Sequence, residues 1–426
     1  MKEDNIEVAV IGLGYVGLPL ANAFSKFYKV IGFDTSIEKI NKYKLGIDIT
    51  NELGNDELKN STIFFTNNEE DIKNANVYII AVPTPIDSKQ QPYIEDTLNA
   101  TKLVGKLLKK GDLVIYESTF YPGMTEEKCI PILEQISKMK QSKNFYVGYS
   151  PERINPGDKT HKLENITKIV SGIDEKSKEY VYKLYKTILI NEPYKVTSIK
   201  IAEASKILEN TQRDVNIAFM NEMSKFFKKL DINMQEVIEA CSTKWNFINF
   251  KPGLVGGHCI GIDPYYLIYK AKTIGMNLKL IKESRSINEN MKKYIWDVFM
   301  KKLNKATNKE NKSIIIYGVT FKENVSDIRN SKIIEIAKKL EENKIKIYIS
   351  DIHVDLNYIN KEYNTNFLSI DKCKGKVQGI IIGTAHDEYK NITEDSLMVK
   401  LENTECPILD INNIIEKNKN SKIWGL

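Results

Sequence analysis

The feature of the sequence that most constrains its fold is an order of short apolar runs and helical segments that occurs twice. In the first half, the apolar runs cover residues 7–11, 29–33, 77–82, 113–117 and 145–149. The order begins again with apolar runs at 313–318, 345–351, 377–383 and 407–411. Strands that alternate with helices form parallel, doubly wound sheets, whose ligands bind beyond the carboxyl ends of the strands. The sequence therefore predicts an α/β protein with two such sheets.

The middle of the chain follows a different pattern. The apolar spacing of residues 197–230 predicts one long amphipathic helix, and a second helical run covers 279–303. At 426 residues the chain is too long for a single hydrophobic core. We therefore expect two Rossmann-like domains, at 1–196 and 304–426, joined by the long helix and a central helical domain at 197–303.

Charge and composition exclude several classes of function. The chain carries 62 Lys and Arg against 56 Asp and Glu, a net charge of +6 without the basic stripe that nucleic-acid binding needs. No apolar stretch reaches the roughly 18 residues of a membrane helix, and the amino terminus has no signal-peptide pattern, so we expect a cytoplasmic protein. The five cysteines have no paired spacing, which argues against disulfides and against a metal site. An anionic small molecule is the better-matched ligand.

Three glycines follow the first apolar run in the pattern GxGxxG. Gly12, Gly14 and Gly17 stand between a predicted strand and a predicted helix, and Asp34 closes the second strand. Such a turn lets a pyrophosphate approach a helix N-terminus, although a tight turn with a purely structural role is the alternative. Because strand, helix and acid have the expected order, we favour a dinucleotide site. The Asp34 carboxylate would accept from ribose hydroxyls and repel a 2′-phosphate, which favours NAD over NADP.

Two further groups of residues are candidates for chemistry. Lys206, Asn210 and Arg213 share one face of the long helix, and their spacing alone does not decide between a solvated face and a cleft. Cys259 lies among glycines and four residues before a helix that we expect to begin with Asp263 as N-cap. A buried core cysteine is the ordinary interpretation of such a residue. The helix N-terminus makes a thiolate nucleophile plausible, and a Cys–His pair with the adjacent His258 is a weaker rival.

Seven segments, taken together and in order, resemble the UDP-glucose/GDP-mannose dehydrogenase family. They are GLGYVGLPLA at 12–21, AVPTP at 81–85, ESTFYPG at 117–123, SPERINPGD at 150–158, EASKILENTQRDVNIAFMNE at 203–222, PGLVGGHCIGIDPYYL at 252–267 and YGVTFKENVSDIRNS at 317–331. The fourth and sixth segments are similar to the branch that oxidises UDP-N-acetylglucosamine or UDP-N-acetylgalactosamine at C6. Ile262 stands where the UDP-glucose enzymes carry a lysine, so a role for that lysine does not carry over.

The resemblance implies a four-electron oxidation of a primary alcohol to a carboxylate with two NAD⁺, as in the synthesis of surface polysaccharide precursors. Lys206, or a water held by it and Asp263, would take the hydroxyl proton. Cys259 would add to the aldehyde and give a thioester after the second oxidation. Lys206 and Asn210 would stabilise oxyanions. Thr119 and Glu152 match positions that order the catalytic water and the nicotinamide.

The resemblance also implies the binding residues. The cofactor positions are Gly12, Gly14, Tyr15, Val16, Gly17, Asp34, Thr84, Thr119 and, across a subunit boundary, Arg329. The positions that contact the UDP-N-acetylhexosamine are Arg153, Ile154, Lys206, Asn210, Arg213, Gly256 and Lys322. In this family the long helix forms a dimer interface, so we expect a homodimer at least.

Two alternative functions remain open at this point. A two-electron hydroxyacid dehydrogenase has a similar first domain and helical lysine, but needs neither Cys259 nor a second Rossmann-like domain. A non-catalytic NAD-binding protein is the other alternative, and the intact set of Cys259, Lys206, Asp263 and Thr119 argues against it.

Overall fold

The computed structural model describes residues 6–154, 162–417 and 421–426. The last four residues of the SPERINPGD segment, 155–158, lie outside the described residues. The chain divides into two compact units. The first runs to Glu209 and includes Tyr265–Asn277, and the second contains Asn210–Pro264 and Leu278–Leu426. The predicted α/β class with two doubly wound sheets is confirmed, because each unit contains one sheet. The predicted three-domain boundaries stay a prediction.

The first unit is built on an eight-stranded sheet in the order β3-β2-β1-β4-β5-β6-β7-β8. Its strands are β1 Glu7–Ile11, β2 Lys29–Phe33, β3 Phe64–Thr66, β4 Val77–Ile80, β5 Leu113–Tyr116, β6 Tyr146–Tyr149, β7 Ile169–Gly172 and β8 Tyr194–Lys195. Its helices are α1 Gly17–Ser25, α2 Ile37–Lys44, α3 Asn55–Lys59, α4 Glu95–Leu107, α5 Ile130–Ser137 and α6 Glu175–Lys186. Continuous apolar runs such as β4 and β5 are buried, as expected for parallel strands covered on both faces.

The last two strands of this sheet, β7 and β8, run opposite to the predicted parallel direction. β7 pairs antiparallel with β6, and the register places Tyr149 opposite Ser171. The strands β3, β7 and β8 have only three, four and two residues, too few for their apolar pattern to be recognised. Because β7 is reversed, its first residue lies at the same edge as the carboxyl ends of β5 and β6.

A group of helices follows the first sheet in the sequence. They are α7 Ile199–Lys229, α8 Met234–Ser242, α9 Asp263–Thr273 and α10 Lys279–Ala306. The prediction of one long helix at 197–230 agrees with α7 to within two residues at its start and one at its end. The division between the two units falls inside α7, after Glu209.

The second unit contains a five-stranded sheet, all parallel, in the order β11-β10-β9-β12-β13. Its strands are β9 Ser313–Tyr317, β10 Lys346–Ser350, β11 Leu368–Ser369, β12 Gly379–Ile382 and β13 Ile408–Asp410, with helices α11 Lys332–Glu342, α12 Leu356–Tyr363 and α13 Glu394–Met398. Met291, Ile295 and Phe299 of α10 pack in the core of this sheet. Among the described residues no helix has the length and hydropathy to cross a bilayer.

The first turns of the two sheets share a local geometry. Gly12 after β1 has a φ of +92°, and Gly318 after β9 has a φ of +73°. Each turn donates a backbone N–H to an aspartate at the end of the neighbouring strand. Leu13 N donates to Asp34 at 2.9 Å, and Val319 N donates to Asp351 at 2.8 Å. The same backbone motif therefore positions a carboxylate at the carboxyl edge of each sheet.

Candidate active site

The glycine turn between β1 and α1 combines two crowded positions with one open position. A Cβ on Gly12 would lie 2.9 Å from the carbonyl oxygen of Ala81, and one on Gly17 would lie 1.8 Å from the carbonyl oxygen of Gly12. Around Gly14, no described atom lies within 4 Å of where a Cβ would be. Gly12 and Gly17 therefore hold the turn together, whereas Gly14 presents bare backbone, as the approach of a pyrophosphate requires.

The N-terminus of α1 adjoins this open backbone. Val16 occupies the capping position without a side-chain capping hydrogen bond in the described structure, and Tyr15 before it is partly buried. An uncapped helix N-terminus offers N–H donors and the positive end of the helix dipole to an anion.

Asp34 directly follows β2 and is fixed by several donors. Its Oδ2 accepts from Leu13 N at 2.9 Å, and its Oδ1 accepts from Ser36 N at 3.0 Å. The ammonium of Lys39, in the first turn of α2, lies 2.7 Å from Oδ2. The predicted ribose acceptor therefore stands beside the glycine turn, with a cation next to it that the sequence pattern did not reveal.

The loops after β4 and β5 are joined at the same edge of the sheet. Ser118 Oγ donates to the carbonyl of Val82 at 2.7 Å, which ties the loop of Thr119 to the loop of Thr84. The hydroxyl of Tyr266 in α9 donates to the carbonyl of Thr84 at 2.9 Å. Both threonines are partly exposed beyond the strands, where ligands of doubly wound sheets bind.

The loop after β6 carries Glu152, Arg153 and Ile154. Glu152 is buried, and one of its oxygens accepts from the backbone N–H of Ile154. Arg153 donates to Glu209 at 2.7 and 3.3 Å and to the carbonyl of Thr167 at 2.6 Å. In this structure Arg153 is engaged with a protein carboxylate, so a role in substrate binding requires it to exchange that partner.

The polar stripe on α7 is divided by burial. Lys206 and Asn210 are buried, whereas Arg213 is exposed. Asn210 Nδ2 donates to Asp263 Oδ2 at 2.5 Å, which joins two of the predicted catalytic residues. The structure therefore sets Arg213 apart from the other two, although the helical spacing puts all three on one face.

Glu203 lies one turn before Lys206 on α7 and was not anticipated. Its carboxylate accepts from the N–H groups of Gly123 and Thr125 at 2.5 and 2.9 Å and from the Thr125 hydroxyl at 2.7 Å. Burial raises the pKa of Glu203 to about 7, although these hydrogen bonds oppose the change. Glu203 thus fixes α7 against the loop that contains Thr119.

The segment around Cys259 is packed against the loop after β9. A Cβ on Gly257 would lie 2.6 Å from the ring of Phe321, and one on Gly256 would lie 2.8 Å from the carbonyl of Asn330. Asn330 Nδ2 also donates to the carbonyl of Gly257 at 3.2 Å. Cys259 itself is partly exposed, so the glycines allow a close backbone contact that fixes the chain leading to the thiol.

The helix after Cys259 begins one residue earlier than expected. α9 starts at Asp263 itself. The N–H of Asp263 donates to the carbonyl of Cys259 at 2.9 Å, and the Asp263 carboxylate accepts a hydrogen bond from Asn210. Asp263 is therefore the first residue of α9 and not its N-cap, which corrects the prediction by one residue.

Burial, reinforced by the positive charge of Arg329, lowers the pKa of His258, the residue before Cys259, to about 4. His258 is therefore neutral near pH 7.

A pocket lies beyond the carboxyl ends of β9 and β12. Its lining residues come from the Cys259 segment, the loop after β9, the start of α11 and the loops after β12 and β13; they are Leu254, Gly256, Thr320, Phe321, Lys322, Glu323, Ser331, Lys332, Ile333, Gly383, Thr384, Ala385, Ile411 and Asn412. The predicted substrate residues Gly256 and Lys322 meet here. Lys322 and the N-terminus of α11 make this pocket suitable for a diphosphate, whereas the ammonium of Lys332 is paired with Glu289 and Glu335.

Arg329 lies at the far end of the same loop. It forms a two-point ion pair with Asp327, with Nε–Oδ1 at 2.9 Å and Nη2–Oδ2 at 2.7 Å, and remains partly exposed. Its charge is thus compensated within the loop. Its contact with NAD of a second subunit stays a prediction.

Three sequence models of one protein family match successive parts of the chain. They describe the NAD binding domain, the central domain and the UDP binding domain of the UDP-glucose/GDP-mannose dehydrogenase family, and they match residues 6–189, 200–290 and 315–417. The chain belongs to this family. It is therefore an NAD-dependent dehydrogenase, and the open backbone at Gly14, the uncapped N-terminus of α1 and the carboxylate of Asp34 all lie in the part matched as NAD-binding.

Similar proteins extend over the whole length of this dehydrogenase. Protein CapL of Staphylococcus aureus is 45% identical over 99% of this chain and 100% of its own length. The UDP-N-acetyl-D-glucosamine 6-dehydrogenase of Pseudomonas aeruginosa is 43% identical over 97% of this chain and 98% of its own. The solved structure of the UDP-D-ManNAc dehydrogenase of Pyrococcus horikoshii superposes with a TM-score of 0.88 at 31% identity and covers 99% of both chains.

The dehydrogenase also contains a buried charge cluster that sequence reasoning missed. Lys168, just before β7, donates to Glu117 Oε2 at 2.7 Å, and Tyr185 of α6 donates to the other oxygen of Glu117. Burial raises the pKa of Glu117 to about 7, although Lys168 opposes the change. Glu117 falls in the recognisable ESTFYPG segment, but Lys168 lies 51 positions later and carries no local signal.

Proposed function

We propose that this dehydrogenase oxidises the C6 hydroxyl of a UDP-N-acetylhexosamine to the uronic acid in the cytoplasm, as a step in making surface polysaccharide precursors. The observation that carries the proposal is the position of Gly256. It lines the pocket of Lys322 and stands three residues before Cys259, so one short segment connects the pocket to the thiol. A nucleotide held by Lys322 would therefore be bound next to the chain segment that presents the nucleophile.

The choice of sugar rests on names of similar proteins. Relatives called UDP-N-acetyl-D-glucosamine 6-dehydrogenase are 43–45% identical to this chain, whereas those called UDP-N-acetyl-D-mannosamine dehydrogenase are 32–34% identical. We infer that UDP-N-acetylglucosamine or its C4 epimer UDP-N-acetylgalactosamine is the substrate.

The first oxidation forms the aldehyde. When bound, NAD⁺ accepts the hydride that leaves C6 in each of the two oxidations. Lys206, or a water bound at the stripe that it forms with Asn210 and Asp263, accepts the hydroxyl proton. Where the water is the base, the buried Lys206 stays an ammonium, and with the amide of Asn210 it stabilises the developing alkoxide, because a desolvated cation interacts strongly with new negative charge.

The second oxidation proceeds on Cys259. The thiolate adds to the aldehyde carbon, and loss of hydride from the thiohemiacetal leaves a thioester. Glu152 and Thr119 order the water that hydrolyses it. In this scheme Gly12, Gly14, Tyr15, Val16, Gly17, Asp34, Thr84 and Thr119 bind the cofactor, and Arg153, Ile154, Lys206, Asn210, Arg213, Gly256 and Lys322 bind the nucleotide sugar.

The assembly that we propose is a homodimer through α7. Ile201, Leu208, Phe219 and Phe226 are each between 44% and 63% exposed. Their spacings of 7, 11 and 7 residues place them within about 20° of one line along the helix. Exposed aromatic and aliphatic side chains in a continuous stripe are typical of an interface. Arg329 would then reach the cofactor of the second subunit, and the chain would be organised as domains 1–196, 197–303 and 304–426.

The test is the number of NADH molecules formed per sugar. We expect about two NADH per UDP-N-acetylglucosamine or UDP-N-acetylgalactosamine consumed, measured by absorbance alongside product analysis, with UDP-glucose and UDP-N-acetylmannosamine as comparison substrates. One NADH per substrate would support the two-electron hydroxyacid dehydrogenase. Tight NAD binding without turnover would support the non-catalytic binding protein.

A further inference from the structure

A fully buried lysine lies at the carboxyl edge of the first sheet. Lys168 has no exposed side-chain surface. Its Nζ donates to Glu117 Oε2 at 2.7 Å and to the carbonyl of Pro151 at 3.2 Å, and it lies 3.9 Å from Glu152 Oε2. An ammonium buried this completely is costly to desolvate, and apolar residues of similar volume usually stabilise a core at least as well. A reason for keeping the charge must therefore be sought in what the ammonium faces.

The reversed strand brings Lys168 to this edge. The β6–β7 register pairs Tyr149 with Ser171. Glu152 comes three residues after Tyr149 and Lys168 three residues before Ser171, so the two side chains lie beside each other. If β7 ran parallel to β6, the residue just before its first residue would lie at the opposite edge of the sheet. The antiparallel β7 is thus the element that places a cation beside the loop carrying Glu152.

The two carboxylates around Lys168 differ in their other partners. Glu117 accepts from both Lys168 and Tyr185. Glu152 accepts from Ile154 N–H with one oxygen, and no group among the described residues donates a hydrogen bond to its Oε2. Lys168, Glu117 and Tyr185 are the charged and titratable groups that face Glu152 in this cluster. Glu117 fixes the lysine, and the lysine presents its charge to the free oxygen of Glu152.

We propose that Lys168 is a positioning residue that orients the Glu152 carboxylate for hydrolysis of the Cys259 thioester. The proposal rests on the proposed function, in which Glu152 orders the water. In that step the water oxygen bonds to the acyl carbon, and the carbon–sulfur bond breaks to restore the thiolate. One proton passes to Glu152 and the second to solvent, and no electrons are transferred.

The test separates formation of the thioester from its hydrolysis. Lys168→Met removes the charge and keeps most of the volume. With saturating NAD⁺ and nucleotide sugar, we expect a stopped-flow burst of about two NADH per active site, as in the wild type or larger. We expect the following steady-state rate to fall by about ten-fold or more, because water activation is lost. Mass spectrometry of quenched protein should find the sugar acyl group on Cys259.

Two further variants control for damage to the fold. The double variant Glu117→Gln/Lys168→Met removes both charges of the buried pair, so it should recover stability while its steady-state rate stays low. Tyr185→Phe disturbs the same cluster without removing the cation. The steady-state rate of this variant should stay within about two-fold of the wild type, because the Tyr185 hydroxyl presents no charge to Glu152. Protein concentrations are normalised to the titre of reactive Cys259.

The proposal is overturned if the burst and the steady-state rate of Lys168→Met fall in parallel, or if the double variant recovers the wild-type rate together with its stability. Failure of the proposed function has a different signature. In that case the wild type itself would form fewer than two NADH per sugar and no acyl group on Cys259, whatever the Lys168 variants do.

Discussion

At the scale of single residues, the strand-end carboxylate of Asp34 is held next to the ammonium of Lys39. The two charged groups are 2.7 Å apart, and the lysine side chain is partly exposed. A 2′-phosphate at this site would meet the carboxylate first, but it would also lie within reach of the lysine. The selectivity for NAD therefore depends on the balance between these two side chains.

Replacing Asp34 should change this balance. We expect Asp34→Ala to raise the ratio of kcat/KM for NADP to that for NAD by about ten-fold, about 1.4 kcal/mol. The gain should be largely absent in Asp34→Ala/Lys39→Ala, because the lysine supplies the new phosphate contact. Steady-state kinetics with both cofactors measure this, and a wild type that already uses them equally would refute the role of Asp34.

Cys259 separates covalent chemistry from acid–base chemistry alone. Once the first hydride has left, the aldehyde can donate a second one only after a nucleophile adds to its carbonyl. We expect Cys259→Ala to abolish uronic acid formation and Cys259→Ser to give a trapped ester or very slow turnover, since an alkoxide forms less readily than a thiolate. Rapid quench with product analysis measures both, and near-normal uronic acid formation by Cys259→Ala would exclude the thioester.

The residues that the sequence reveals are those with local signals. Gly12, Gly14 and Asp34 follow a strand in a known order, and Cys259 stands among glycines before a helix. Lys168 and Glu203 are different, because their partners lie 51 and up to 80 positions away and each looks like an ordinary charged residue in its own segment. Only the folded chain shows that they are buried.

At the scale of elements, α7 is anchored by a carboxylate whose proton affinity changes on folding. Burial raises the pKa of Glu203 to about 7, from about 4.5 in the unfolded chain. Between pH 4.5 and pH 7 the unfolded chain loses this proton while the folded protein keeps it. The contribution of Glu203 to the free energy of unfolding is therefore complete below pH 4.5 and is lost as the pH rises towards 7.

Glu203→Gln should remove this pH dependence, because the amide does not titrate. We expect the melting temperature of the wild type to fall more steeply between pH 4.5 and pH 7 than that of the variant. Thermal unfolding followed by circular dichroism at several pH values measures the two slopes. Equal slopes would mean that Glu203 is ionised in the folded protein.

The loop after β9 should bind the nucleotide independently of the cofactor. We expect Lys322→Ala to weaken UDP binding by about ten-fold while NAD binding changes by less than about two-fold, because the lysine lines the pocket of the second sheet. Calorimetry with UDP and with NAD measures both affinities. The reverse pattern would overturn the assignment of this sheet to the nucleotide sugar.

The order of the elements was predictable from apolar runs, whereas the direction of β7 was not. The four residues Ile169–Gly172 are buried and apolar or small, and this pattern is the same for a parallel and an antiparallel strand. The direction of β7 becomes visible only in its register with β6, where Tyr149 lies opposite Ser171 and Gly148 lies opposite Gly172.

At the scale of the whole molecule, the exposed apolar stripe of α7 predicts a dimer. We expect Leu208→Lys/Phe219→Lys to shift the wild-type dimer to a monomer at micromolar concentration, because two lysines would be desolvated in the interface. Light scattering measures the mass, and Ile352→Lys, at an exposed position in the loop after β10, is a control that should stay dimeric. A wild type that is fully active as a monomer would reject both the interface and the role of Arg329.

The two similar turns differ in the side chain that neighbours their carboxylate. In one half of the chain the carboxylate of Asp34 is neighboured by a long lysine side chain that can move aside for a ribose. In the other half Asp351 is 3.3 Å from the fully buried ring of His386, which also accepts from the N–H of Asn324. Burial acts to raise the pKa of Asp351, but the hydrogen bonds from His386 and from the N–H groups of Val319 and His353, together with the charge of His386, outweigh it and lower the pKa. The carboxylate of the first turn is thus paired with a partly exposed lysine that a ligand can displace, whereas the carboxylate of the second turn is held by a buried histidine.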